Sequence, residues 1–196
     1  MSSVVVDIFC EDAAHELFLR ALVGRLAREA RETPRVNTRS ARGGKGRSLG
    51  ELKKYADTVK TTFVTMPDVL VAAIDTNCDP WTKARDQILS TAGEALRDRT
   101  VPACPDPHVE RWYLADPVSF HRVIGTKPVL PRKPKCGRGE YKAILRKAIK
   151  DAGHPLLQGG IEFAAEIVAA MDLHRAARND GSLSDFLDTL RNRLRW

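Results

Sequence analysis

Two apolar runs of the sequence each end on an acidic residue, and acids at such positions can bind a metal ion. Residues 4–10 are followed by Glu11, and residues 71–74 are followed by Asp75, with Asp79 four residues further on. Short runs of this composition predict buried strands. In an open parallel sheet, ligands bind beyond the carboxyl ends of the strands, and clustered carboxylates there favour a hard divalent cation. The pattern therefore predicts a site that handles phosphate.

A fourth acid, Glu110, follows the last predicted strand and is expected at the same edge. Such carboxylates could hold one or two Mg²⁺ or Mn²⁺ ions, which polarise a phosphodiester and lower the pKa of a bound water. Glu11 would serve as metal ligand or general base. Three of the acids have a simpler interpretation, since Asp75 and Asp79 suit the cap of the following helix and Glu110 suits the first turn of a helix. The candidate metal ligands are Glu11, Asp75, Asp79 and Glu110.

A glycine-rich basic segment lies between the two acid-bearing runs. Arg42, Lys45 and Arg47 alternate there with three glycines. Backbone amides of such a segment can approach a phosphate closely, and Lys45 would supply a cation to the phosphate or to the transition state. The Walker pattern Gly-x-x-x-x-Gly-Lys-Ser/Thr is absent, which argues against nucleotide hydrolysis through a P-loop.

Positive charge is concentrated in two segments. The net charge is +7 and the pI is about 9.4, but residues 35–60 carry +6 and residues 127–150 carry +8, which leaves −7 for the rest. Patches of this kind are typical of proteins that bind a phosphate backbone, although two solvated basic faces would give the same count. Tyr141 is placed to stack on a base. The candidate nucleic-acid-binding residues are Arg42, Lys45, Arg47, Lys133, Lys135, Arg138 and Lys142.

The four cysteines are far apart in the sequence and include no Cys-x-x-Cys pair. This spacing favours neither a zinc ribbon nor a disulfide framework, so reduced thiols are predicted, with Cys10 and Cys78 beside the strand ends. Cys104 and His108 could form half of a metal site.

No run of about 20 apolar residues and no signal peptide is recognised, so a soluble cytoplasmic protein is expected. His15 is interpreted as a helix residue near the site and the other histidines as structural, although His108 is close to the candidate ligand Glu110 in the sequence.

Strand and helix patterns alternate in the first part of the chain. Strands are predicted at residues 4–10, 35–39, 68–75 and 101–104, with helices at 11–31, 48–64 and from 80 onward. This alternation predicts an α/β fold with a mostly parallel, Rossmann-like four-stranded sheet flanked by helices. Only helices are predicted after residue 108, including one over 160–178. The predicted organisation is an α/β domain (1–124), a basic loop (125–139) and a helical extension packed on the same domain (140–196).

The chain resembles the TOPRIM family, the metal-binding domain of topoisomerases, primases and nucleases of the overcoming-lysogenization-defect class. That family places Glu after its first strand and Asp-x-Asp after a later one, which Glu11 and the segment from Asp75 to Asp79 match. Small stand-alone TOPRIM-like proteins are also similar at residues 9–16, 43–46, 109–116 and 182–187. Asn77 stands where the family has its second Asp, so Asp79 or Glu110 would replace it. Asn offers a carbonyl ligand without charge, which leaves open whether one or two ions bind.

The resemblance implies a Mg²⁺- or Mn²⁺-dependent nuclease, with DNA preferred over RNA as substrate. It further implies an effector of anti-phage defence that works with a separately encoded ATPase, because relatives act beside one. A homo-oligomer is compatible with this interpretation. The alternative is a nucleic-acid-binding or assembly subunit that has lost a metal site through Asn77. An enzyme of small phosphate esters is disfavoured, since two basic patches exceed what a small ligand needs.

Overall fold

A computed structural model of the chain describes residues 3–39, 43–61, 66–131, 133, 136–137 and 139–194. Four strands form one sheet in the order β2-β1-β3-β4, and every pair is parallel. The strands are β1 (Ser3–Phe9), β2 (Thr33–Thr38), β3 (Val69–Ala73) and β4 (Thr100–Ala103). The predicted α/β fold with a parallel four-stranded sheet is confirmed.

Helices connect the strands and then complete the chain. Parallel neighbours require crossover connections, and a helix supplies each one here. The helices are α1 (Ala13–Glu29), α2 (Lys45–Thr61), α3 (Trp81–Arg97), α4 (Val109–Tyr113), α5 (Pro117–Ile124), α6 (Glu140–Asp151), α7 (Ala164–Ala170), α8 (Leu173–Asn179) and α9 (Gly181–Leu194), with a 3₁₀ turn at Ile161–Phe163.

The two faces of the sheet are covered by different helices. One face packs against α1 and the helices after β4, in a core that contains Phe18, Trp112 and Phe186. The other face packs against α2 and α3, in a smaller core that contains Leu52 and Ile88. Because both faces are covered, β3 is buried at every position, as its continuous apolar sequence requires. The helices after residue 139 thus share a core with the first strand.

A buried acid holds α2 against the sheet. Asp7 lies within β1 and is 2% exposed. Its carboxylate accepts hydrogen bonds from Asn37, Arg39 and Tyr55, each at 2.9 Å. A buried carboxylate is tolerated only when its oxygens are satisfied in this way. This network fixes the helix that carries Lys45 to the middle of the sheet.

Two of the predicted helices differ from the structure. The helix predicted from residue 48 begins at Lys45, so Lys45 and Arg47 lie on α2 and not in a loop. The single helix predicted over 160–178 is wrong, because the chain leaves helical geometry at Met171. The Asp172 side chain then accepts a hydrogen bond from the backbone of Arg175, which starts α8 as a new helix.

The prediction of four reduced thiols is wrong for two of them. Cys78 and Cys136 form a disulfide, with their Cα atoms 5.7 Å apart and a separation of 58 positions in sequence. The bond links the loop after β3 to the segment before α6. Cys10 and Cys104 are free and buried. None of the helices within the described residues is both long enough and apolar enough to span a membrane.

Candidate active site

Asp75 is the centre of a polar cluster beyond the end of β3. Its Oδ1 accepts a hydrogen bond from the backbone N–H of Val109 at 3.0 Å and lies 3.1 Å from Nε2 of His15. Its Oδ2 lies 3.1 Å from Nδ1 of His108. The backbone N–H of Asp75 donates to Oε1 of Glu11 at 2.9 Å. Asp75 therefore joins residues that follow three different strands.

The sheet register explains why these residues meet. β1 and β3 are parallel neighbours, and Phe9 at the end of β1 pairs with Ala72 near the end of β3. Glu11 and Asp75 each follow two residues after their strand, so they emerge together at the carboxyl edge. Val109 begins α4 directly after β4, the other neighbour of β3. The expected convergence of Glu11 and Asp75 is present in the structure.

His15 carries a positive charge in the interior of the cluster. It is fully buried, and Nδ1 lies 2.9 Å from Oδ1 of Asp12 while Nε2 faces Asp75. Burial by itself lowers the pKa of His15, but the charges and hydrogen bonds of Asp75 and Asp12 outweigh it and raise the pKa well above its ordinary value. The contact of Nε2 with Asp75 is an ion pair without a well-directed hydrogen bond. A buried imidazolium between two carboxylates results.

The same contacts fix the charge of Asp75. Burial raises the pKa of this carboxyl group, but His15 and His108 together lower it from 3.8 to about 2. His108 also has a raised pKa, chiefly through its hydrogen bond to Asp75. Asp75 is therefore an anion whose two oxygens are already engaged, which makes it a positioning group for the histidines.

Two glutamates near Asp75 have raised pKa values, in contrast to Asp75 itself. Burial raises the pKa of Glu11, and the negative charge of Asp75 raises it further. Burial likewise raises the pKa of Glu110, with added contributions from Asp75 and Asp12. The charge of His15 lowers both pKa values but does not outweigh these contributions. A further cation nearby would favour the charged form of both glutamates.

Glu11 and Glu110 line a cleft of about 610 Å³. Asp12, Asp75 and His108 also line it, which places the polar cluster on its wall. The cleft further includes Lys45 at the first position of α2 and Lys142 in the first turn of α6. Carboxylates and cations thus share one cavity, as phosphoryl-transfer sites require.

Glycines precede both of these helices. Gly43 and Gly44 come before α2 with φ values of 149° and 83°, and Gly139 comes before α6 with φ of 82°. These left-handed conformations favour glycine and bring the backbone close to the cleft. The first turn of α2 contains no acidic residue, so the partial positive charge of its N-terminus is not compensated there.

The predicted residues divide into three groups. Glu11, Asp75, Glu110, Lys45 and Lys142 all line the cleft, as does Asn77. Asp79 does not line it and instead pairs with Lys83 at 3.0 Å; α3 begins without a side-chain cap, so Asp79 is not its N-cap either. Arg47 and Lys133 are exposed and do not line the cleft. Arg42, Lys135 and Arg138 lie outside the described residues.

Sequence reasoning missed the roles of Asp12, His15 and His108. Asp12 and His15 are three residues apart across a helix start, where an acid caps the helix and can also reach a side chain in the first turn. That spacing was a usable signal. His108 is 33 residues from Asp75, and only the pairing of β3 with β4 brings them together.

Comparison with known proteins identifies the family of the chain but does not indicate an activity. Residues 10–191 match the family described as a domain of unknown function, DUF4276. The chain belongs to this family. The DUF4276 match begins just before Glu11 and extends into α9, so it includes every residue of the cleft. No curated protein and no solved structure matches the chain.

The side chains of the DUF4276 cleft are suited to a hard cation that is also coordinated by the substrate. Within the described residues, no three His, Cys, Asp or Glu side chains are grouped so as to hold a metal ion by themselves. Mg²⁺ does not need such a group, because it commonly binds one or two carboxylates, substrate phosphates and water. Oε2 of Glu11 and the carboxylate of Glu110 are the groups suited to this role, since both oxygens of Asp75 are occupied.

Proposed function

We propose that this DUF4276 protein is a metal-dependent, TOPRIM-like nuclease that cleaves phosphodiester bonds of nucleic acid. The observation that carries the proposal is the shared cleft, where Glu11 and Glu110 with raised pKa values stand beside Lys45 and Lys142. Half-buried carboxylates with raised pKa values favour a divalent cation, and the lysines favour phosphate. An acidic cleft alone would repel a polyanion, so both features are needed.

Each cleft residue has a distinct task in this proposal. Glu11 and Glu110 would hold Mg²⁺ or Mn²⁺, which when bound polarises the phosphodiester. Lys45 and the first turn of α2 bind phosphate oxygens and stabilise the charge that develops on them. Asp75 holds His15 and His108 in place and orients Glu11 through its backbone N–H. Asp79 and Asn77 have no assigned ligand role, so we propose one ion and not two.

The biological setting is proposed from the resemblance to TOPRIM proteins. We propose DNA as the preferred substrate, anti-phage defence as the role, and a separately encoded ATPase as the partner that controls cleavage. The absence of a Walker sequence is consistent with an ATPase supplied by another chain. An ATPase gene beside the gene for this chain would support the partnership.

The test is a cleavage assay with single-stranded DNA, plasmid and tRNA in the presence of Mg²⁺ or Mn²⁺. Glu11→Gln retains an acceptor for the N–H of Asp75 but removes the charge that binds metal. We expect it to lower the cleavage rate by about 100-fold or more. Asp79→Asn is the matched control, because Asp79 is an acid of the same edge that does not line the cleft. Its cleavage rate should equal that of the wild type.

Cleavage that persists in both Glu11→Gln and Glu110→Gln would reject the proposed metal site. Equal losses in Glu11→Gln and Asp79→Asn would show that the cleft does not define the active residues. Thermal unfolding of each variant checks that the chain remains folded, so that a lost rate is attributed to the site.

A second candidate is a nucleic-acid-binding or assembly subunit without catalysis. The TOPRIM pattern would make Asp75 a metal ligand, but both of its carboxylate oxygens already have partners within the chain. This observation favours the second candidate. Tight binding that weakens steeply with salt, without cleavage under either metal, would support this candidate.

A further inference from the structure

A second cavity lies beside the cleft and has a different lining. Its volume is about 310 Å³, at the small end of the range for ligand pockets. Leu114, Pro117, Leu130 and Pro131 give it apolar walls, and Tyr141 adds an aromatic ring. The cavity therefore combines apolar side chains with the polar groups of Arg111, Asn179 and Asp180.

The two cavities are separated by α4 and the start of α6. Glu110 lines the cleft, and the next residue, Arg111, lines the second cavity. In the same way, Lys142 lines the cleft and Tyr141 lines the second cavity. Adjacent residues of two helices thus line different cavities, so the second cavity adjoins the cleft in which a strand would bind.

Hydrogen-bonding groups also line the second cavity. Nη1 of Arg111 donates to the carbonyl of Asp106 at 2.7 Å, and Nε lies 3.1 Å from Oδ2 of Asp180. These contacts fix the guanidinium group and leave Nη2 without a partner among the described residues. The Nδ2 group of Asn179 donates to the carbonyl of Ala115 at 2.8 Å, which leaves its Oδ1 as an acceptor. One donor and one acceptor are thus held in fixed positions.

Asp180 also lines the cavity and is paired with Arg111. It is 2% exposed, and its Oδ1 accepts hydrogen bonds from Ser182 and from the backbone of Leu183. Its Oδ2 forms the ion pair with Nε of Arg111. This pair compensates the buried charge of Asp180 and holds the guanidinium group at the cavity.

We propose that this cavity binds one unpaired nucleobase of the nucleic acid whose phosphates occupy the cleft. A nucleobase has two apolar faces and an edge of donors and acceptors, which corresponds to a cavity lined by both apolar side chains and the polar groups of Arg111 and Asn179. Enzymes that act on nucleic acid read an extruded base in this manner, by stacking and by edge hydrogen bonds. The inference rests on the proposed function for the identity of the ligand, but the cavity itself is separate from the metal site.

A cavity that binds an unpaired base favours some substrates over others. A base inside a duplex must be unpaired and unstacked before it enters the cavity, at a cost of a few kcal/mol. Single-stranded DNA, or a strand with an unpaired nucleotide, is therefore the preferred substrate, and intact duplex is a poor one.

The test uses free nucleosides with the full chain, in the absence of divalent metal. Adenosine, guanosine, cytidine and thymidine are titrated, and binding is followed by calorimetry or by NMR of the nucleoside. At least one nucleoside should bind saturably, and deoxyribose 5-phosphate, which has no base, should not compete. Leu130→Trp fills the cavity with a larger side chain and should weaken binding at least tenfold.

Val129→Trp is the matched control. Val129 is the neighbour of Leu130, is 83% exposed and does not line the cavity, so its substitution should leave nucleoside binding unchanged. Failure of all four nucleosides to bind would overturn the inference. Equal binding by the wild type and Leu130→Trp would overturn it as well.

The outcome is separable from that of the nuclease proposal. If Glu11→Gln abolishes cleavage while no nucleoside binds, the cavity inference fails and the nuclease proposal stands. If nucleosides bind and Leu130→Trp prevents it while no cleavage occurs with either metal, the base site stands and the nuclease proposal fails. Asn179→Ala gives a second check on the site, since loss of its Oδ1 should change the order of affinity among the four nucleosides.

Discussion

At the scale of single residues, the unusual feature is a relay of paired charges around the buried side chain of His15, where relay means a continuous series of contacts. Asp12, His15, Asp75 and His108 form a continuous series of short contacts, each between 2.9 and 3.1 Å. Within it, His15 is the cation and Asp75 the anion. Because each charge is stabilised by the next, removal of one member changes the pKa of its neighbours.

This relay makes stability depend on pH in a defined direction. The pKa of His15 is raised well above 6.5 in the folded state, so its contribution is complete below pH 6.5 and is lost as pH rises through the folded pKa. The pKa of Asp75 is lowered from 3.8 to about 2, so its contribution is complete above pH 3.8 and is lost as pH falls toward 2. The relay should stabilise the fold most between these two limits.

We therefore predict that His15→Gln lowers the free energy of unfolding most between about pH 4 and pH 6.5. Urea unfolding of wild type and variant at several pH values measures this difference. His154→Gln serves as the control, because His154 lies outside the relay and contacts the carbonyl of Ile124. A difference between wild type and His15→Gln that stays constant from pH 5 to pH 9 would contradict a charged His15.

At the scale of elements, the disulfide determines how one wall of the cleft is held. Cys78 follows Asn77, and Cys136 precedes Gly139; both Asn77 and Gly139 line the cleft. The bond therefore ties the loop after β3 to the start of α6. Disulfides persist in oxidising compartments and are rare in the cytosol, so this bond and the expectation of a cytoplasmic protein point in opposite directions.

We predict that loss of this bond destabilises the chain by up to about 4 kcal/mol, since it closes a long loop in the unfolded state. Cys78→Ser should lower the melting temperature, and added reductant should lower that of the wild type by the same amount. Reductant should have no effect on Cys78→Ser, which is the internal control. An unchanged melting temperature of the wild type under reductant would mean that the bond does not contribute in solution.

The elements also show what the sequence could and could not predict. The strands and their order along the chain follow from local apolar composition, and Glu11 and Asp75 converge because parallel strands end at one edge. The disulfide and the contact of His108 with Asp75 depend on residues that are 58 and 33 positions apart. No local pattern encodes such contacts. The break at Met171 was missed because Asp172, a polar cap, stands within an otherwise helical pattern.

At the scale of the whole molecule, positive charge is unevenly distributed. The basic segments 35–60 and 127–150 each contribute one lysine to the cleft, Lys45 from α2 and Lys142 from α6. The remainder of the chain is acidic. Both basic segments therefore attract a polyanion to the cleft. Release of counterions from its phosphates supplies much of the binding free energy.

This arrangement predicts how nucleic-acid binding depends on salt. If Lys45 and Lys142 each contact one phosphate, Lys45→Ala and Lys142→Ala should each reduce the slope of log affinity against log salt concentration by about 1. Binding of a fluorescent single-stranded oligonucleotide is measured without metal at salt concentrations from about 50 to 300 mM. The slopes are obtained from these affinities. Lys83→Ala is the matched control, because Lys83 pairs with Asp79 and does not line the cleft. A slope that falls equally in all three variants would show that affinity reflects overall charge, and would remove the cleft as the path of the phosphate backbone.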